Sequence, residues 1–288
     1  MMSKAWGLCS KGFVLALCSV IFLNACGGGG GTSTSPNPAP EPAAPTVPDV
    51  PFEPAQRLTL EPIESVNTGG IYPLRVALPT NSTATQVYPV LYVFDAEWIF
   101  DDVVDAADAL ELELIVVGVE NYTALTPTYQ HREDYATWPL AESYFFFIRD
   151  ELDPLITQQY QVDTDNKTMI GHSYLGLFTA FAYLIDDTEN PFFHSYVSLD
   201  ATVVGNSDDL LNRLDERFQA NTVMNHQAIF VGAQQSNAQS VNWFALQVQD
   251  KGFSNLDIHY LSYDTSHKDV IVASLPDVLN IRYPAEQD

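Results

Sequence analysis

Gly171-His172-Ser173 sets a hydroxyl that can become a nucleophile two positions after a glycine that tolerates a sharp turn. A short strand ending in Met169-Ile170 runs into this triplet, and the apolar run 177–184 leads away with the pattern of a buried helix. A serine at a strand-to-helix turn is lifted above the sheet edge. The first amides of the helix have no partner within it and point at charge developing on a substrate oxygen. That combination favours attack on a carbonyl carbon. The hydroxyl still needs a base. Of the six histidines, His172 belongs to the turn and His259 sits in a strand pattern. His131, His194 and His226 read as loop or strand-edge residues, and His267 lies in a loop near the end of the chain.

The elements that must hold these groups are legible as alternating patterns. Residues 57–61 and 72–78 alternate apolar and polar side chains, as in an opening antiparallel pair, with a turn at Asn67-Thr68-Gly69-Gly70. Residues 88–94 and 114–119 are almost wholly apolar, which is how strands covered on both faces of a parallel sheet read. Helices are expected at 101–110 and 141–160, and the aromatic run 144–147 in the second belongs to the core. Strands follow at 195–199, 228–231 and 257–262, with helices between and after them. Strand and helix in alternation give an α/β fold, a mostly parallel, doubly wound sheet with helices on both faces.

The first 25 residues carry Lys4, Lys11, no acid and an apolar run over 13–23, the layout of a secretory signal. That run is too short for a permanent membrane span. Leu23-Asn24-Ala25-Cys26 resembles the bacterial lipobox, which implies cleavage before Cys26 and lipidation of its thiol. All three cysteines lie at or before this point, so the expected mature body has none to cross-link. Residues 26–55, five glycines and then a Pro-rich stretch, cannot bury enough apolar surface to order themselves and read as a tether. The folded domain is expected over 56–288. Cleavage would remove two lysines and no acid, taking the net charge from −25 to −27. Nucleic acid is excluded as a partner by that field, and the membrane is reached through the lipid alone. The expected location is the bacterial cell envelope, lipid-anchored at the outer membrane.

Other motifs are sparse. No Cys or His pair has metal-ligand spacing, no phosphate-binding glycine loop occurs in the domain, and neither metal nor cofactor is expected. The acid pairs Asp101-Asp102, Asp186-Asp187 and Asp208-Asp209 read as solvated helix ends. Trp98, Trp138 and Trp243 are candidates for lining a pocket, or for the core or a rim.

Several segments together resemble the esterase D and enterochelin esterase branch of the α/β-hydrolases. They are Tyr72-Pro73-Leu74-Arg75-Val76, Tyr88-Pro89-Val90-Leu91-Tyr92, residues 132–139, residues 147–156 with Tyr160, and Gly171-His172-Ser173. The resemblance implies the α/β-hydrolase fold, Ser173 as nucleophile, His267 as general base, and an oxyanion hole from the backbone N–H of Tyr174 and one from Ala96-Glu97-Trp98, assigned to Glu97. Two departures stand out. Leu175 replaces the first glycine of the family's Gly-His-Ser-x-Gly-Gly, which implies a shifted or wider elbow. The family's acid follows the strand at 228–231, where this chain reads Gly232-Ala233-Gln234-Gln235-Ser236-Asn237. Asp200, at the end of the preceding strand, is the favoured substitute and Asp264 the alternative. The expected function is hydrolysis of small carboxylic esters through an acyl-enzyme on Ser173. A catalytically impaired relative that binds a ligand or partner in the old cleft is the alternative.

Overall fold

A computed structural model describes residues 52–80, 86–121, 132 and 135–285. The signal, Cys26, most of the tether and His131 lie outside the described residues. From residue 56 the order is β1 (Gln56–Glu64), β2 (Ile71–Leu78), β3 (Tyr88–Phe94), α1 (Ala96–Ala109), β4 (Ile115–Val119) and α2 (Leu140–Phe147). There follow a π-helical turn (Ile148–Leu152), α3 (Asp153–Gln159), β5 (Val162–His172), α4 (Tyr174–Ile185), β6 (Ser195–Leu199) and α5 (Ser207–Ala220). The chain closes with β7 (Gln227–Ala233), α6 (Ala238–Asp250), β8 (Asp257–Tyr263) and α7 (Val270–Arg282).

The eight strands form one sheet in the order β1-β2-β4-β3-β5-β6-β7-β8. The β1–β2 and β2–β4 pairs are antiparallel; the other five are parallel. Every residue of β4 and β6 is buried, as in strands covered on both faces, the serines of β6 included. One face packs against α1 and α7 through Ile99, Phe100, Val103, Ile271, Leu275 and Val278. The other face carries α2 to α6, with Tyr144, Phe145 and Phe147 fully buried in that layer, as expected of the aromatic run.

Three features differ from the sequence reading. The helix expected over 141–160 is broken by the π turn ahead of Pro154, whose ring nitrogen cannot donate to the carbonyl four residues back. Residues 96–98, expected in a loop, form the first turn of α1, with the Trp98 amide donating to Asp95 O at 2.9 Å. Asp186 is not solvated: it is 3% exposed and accepts hydrogen bonds from Tyr196 Oη and the Phe193 amide.

Strand order reverses at β3. β4 lies on one side of it and β5 on the other, so α1 and α4 leave the sheet toward opposite faces. A crevice must open above the carboxyl ends of β3 and β5, where ligands bind in open α/β sheets. The residues just past those ends are Asp95 and Ser173.

Candidate active site

Ser173 stands between β5 and α4 with φ 60 and ψ −115, a left-handed conformation that a side chain adopts only under constraint. Three backbone bonds supply the constraint. The Ser173 amide donates to Leu199 O at 2.9 Å, while its carbonyl accepts from Leu177 N at 3.0 Å and Thr202 N at 3.2 Å. A Cβ at Gly171 would lie 2.2 Å from the Leu175 carbonyl, and one at Gly176 would lie 2.8 Å from that of Leu199. Only glycine fits at 171. The elbow is therefore tight, not widened as Leu175 had implied, because that side chain turns into the core at 1% exposure.

Asp200 follows β6 directly, also at positive φ (42°), and its amide donates to Val231 O at 2.7 Å. This turns the side chain under the end of β7, into the space where Gly232 to Asn237 offer no acid. Its carboxylate accepts from Ala233 N at 2.8 Å, Asn237 N at 3.2 Å and His267 Nδ1 at 2.5 Å. Burial works against the carboxylate charge, yet the hydrogen bonds from His267, Ala233 and Ser236 outweigh it and hold Asp200 below its ordinary pKa. Asp264 is exposed and accepts from Gln235 Nε2 at 3.1 Å.

The bond to Asp200 requires the proton of a neutral His267 ring to sit on Nδ1, which leaves Nε2 as an acceptor. His172 braces this loop from below, a role the sequence reading missed. Its Nε2–H donates to His267 O at 2.7 Å, and the two ring centroids are 4.4 Å apart. Burial, reinforced by the nearby His267 ring, lowers its pKa to about 4, so His172 is neutral near pH 7. Its position inside the turn was the only available clue.

Ser173 and His267 line the same cleft of about 850 Å³, with Trp98, Arg132, Ile271 and Val272 among its walls. Arg132 Nε donates to the buried Asp95 at 2.7 Å, and its guanidinium lies over the Trp98 and Tyr174 rings, 4.6 and 5.6 Å from their centroids. Sequence reasoning placed Arg132 only within a resembling segment; its cleft position depends on Asp95, 37 residues away. Trp138 packs on Phe181 beneath Arg213 instead of lining the cleft.

Tyr174 opens α4, so its amide belongs to the first turn, where helix N–H groups lack internal acceptors. The Glu97 amide, the expected second oxyanion donor, is turned to its own carboxylate, which also accepts from Asn121 N at 3.2 Å. Burial, with the neighbouring Asp95 charge adding to it, raises Glu97 to about 7. Among the described residues, no cluster of three or more His, Cys, Asp or Glu could hold a metal ion. No helix among them is long and apolar enough to cross a membrane.

The family model described as Putative esterase matches residues 65–259. Ferri-bacillibactin esterase BesA of Bacillus subtilis is 28% identical over 193 residues, covering 58% of this chain and 65% of BesA. The match thus spans just under two thirds of that relative. Among solved structures, the BES protein from Bacillus cereus superposes with a TM-score of 0.67 at 18% identity, over 81% of this chain and 96% of its own. Siderophore hydrolase EstB from Aspergillus nidulans gives 0.63 at 17%, over 83% and 99%. At such identities these structures establish a common fold.

Proposed function

The chain belongs to the Putative esterase family, and from that premise we propose that it is a serine hydrolase of small carboxylic esters. Ser173 Oγ attacks the ester carbonyl as His267 Nε2 takes its proton, and Asp200 stabilises the resulting imidazolium through Nδ1. The Tyr174 amide receives the oxyanion. On collapse, the His267 proton passes to the departing alkoxide, leaving an acyl group on Ser173. Water, activated by the same Nε2, then releases the acid. The observation that carries this reading is the 2.5 Å contact between Asp200 and His267, in a cleft that Ser173 also lines. It supports the esterase over an impaired binding protein, since a carboxylate meets His267 although none follows β7.

A fluorophosphonate probe tests the proposal. Labelling of the wild type that disappears in Ser173→Ala supports it. Wild type that neither labels nor hydrolyses p-nitrophenyl butyrate overturns it. BesA's name makes siderophore esters the first natural substrates to assay. We further propose lipid attachment at Cys26 in the cell envelope, supported by the lipobox-like Leu23-Asn24-Ala25-Cys26. Detergent-phase partitioning that Cys26→Ala does not abolish would refute it.

A further inference from the structure

A second cavity of about 470 Å³ has walls that begin next to residues in contact with Ser173 and with His267. This volume lies within the range of small-molecule sites, about 300–1,000 Å³. One wall, Val203-Val204-Gly205, begins one residue beyond Thr202, whose hydroxyl is 3.4 Å from Ser173 Oγ. The other wall begins at Ser236, whose hydroxyl is 3.4 Å from His267 Nδ1, and continues along α6 through Gln239 and Ser240 to Trp243. Thr202 thus joins one wall to the Ser173 hydroxyl, and Ser236 joins the other to the edge of His267 that faces Asp200.

Its chemistry differs from that of the cleft. Asp102, Arg132, Lys268 and Asp269 charge the cleft, whereas no residue lining the groove is ionisable. That neutrality occurs in a chain with 37 acids. Ser207 and Gln239 offer groups that donate and accept, while Ser236 and Ser240, whose protons go to Asp200 and to Asn237 O, keep lone pairs that accept, a set that matches ligand hydroxyls. The half-buried indole of Trp243 and the 72% exposed Val204 add apolar surface. An ester has two halves, and the structure has two differently lined cavities, the cleft that holds Ser173 and the groove whose wall begins next to Thr202.

Building on the esterase reading, we infer that the groove is a subsite for an uncharged, hydroxyl-rich ring on the substrate, a sugar-like moiety stacked on Trp243. Its hydroxyls bond to the serine and glutamine side chains, and its C–H face lies on the indole. A strongly anionic group is disfavoured there, having no cation to meet it.

The test compares methyl 6-O-butyryl-glucopyranoside with ethyl butyrate, following acid release. The wild type is expected to favour the glucoside ester in kcat/KM by at least about tenfold, the scale of one good pocket contact. Trp243→Ala should erase that preference through KM and leave ethyl butyrate turnover unchanged, which also reports that the variant is folded. Trp243→Phe, keeping an aromatic face, should restore most of the preference. Equal use of both esters by the wild type, or an equal loss on both in Trp243→Ala, overturns the inference. If neither ester is cleaved, the esterase reading fails and binding decides: saturation-transfer NMR with free methyl glucoside either gives a signal that Trp243→Ala abolishes, in support, or gives none, in refutation.

Discussion

Replacing Asp200 by Asn changes little in shape and much in proton placement. The carboxylate has two acceptor oxygens. Oδ1 takes the amides of Ala233 and Asn237, and Oδ2 takes His267 Nδ1 at 2.5 Å and, more distantly, Asn237 Nδ2 at 3.4 Å. Asparagine has one oxygen. The two backbone amides, fixed at the end of β7, claim it, which turns the NH₂ toward the imidazole. A ring facing a donor at Nδ1 must accept there, so its proton moves to Nε2, where the serine proton has to go. The wrong tautomer and the missing charge together are expected to lower kcat by about 10⁴, as the same change does in a serine protease. At about 1.36 kcal/mol per factor of ten, that is ~5.4 kcal/mol of barrier. KM should hardly move, because the substituted group touches no substrate. Initial rates on p-nitrophenyl butyrate, normalised to fluorophosphonate-titratable sites, measure the effect. A fall of less than about tenfold, or an equal fall in Asp264→Asn, would refute the triad assignment.

Glu97 titrates near pH 7 in the fold against an ordinary value of 4.5, because burial and then Asp95 disfavour its charge. The folded state thus holds a proton that the unfolded chain releases, and stability falls as pH rises from 4.5 through 7. Glu97→Gln should therefore raise Tm over wild type more in alkaline than in acidic buffer; an equal gain in both contradicts the cause. Gly171→Ala drives a methyl to 2.2 Å from the Leu175 carbonyl, so a loss of about 3 kcal/mol or more in urea denaturation is expected, together with loss of turnover. A stable, active Gly171→Ala would mean the elbow is looser than described. At position 173 the positive φ strains Ser and Ala alike but not Gly, so Ser173→Gly should exceed Ser173→Ala in stability by about 1–2 kcal/mol. Equal denaturation midpoints would remove the strain.

Much of the fold was readable because burial leaves periodic marks. Tyr88–Phe94 and Ile115–Val119 are apolar throughout because helices cover both faces, and every strand expected from pattern recurs, those at 88–94 and 195–199 with the same ends and the others with shifted ones. The shifts have local causes. α1 starts at Ala96 because Asp95 turns the chain at φ 54, and no side-chain pattern encodes that. The π turn answers a single proline.

By itself, the sequence determined the alternating architecture, the strand-to-helix turn at Gly171-His172-Ser173 and the loop carrying His267, since each depends on residues adjacent in the chain. It left the acid open between Asp200 and Asp264. It also concealed the His172 brace and the Asp95–Arg132 clamp. Those are contacts between residues 37 to 95 positions apart. Strand order and a few positive-φ corners decide which side chains meet. A hydrogen bond of 2.5 Å between β6 and the loop after β8 leaves no trace in either segment alone.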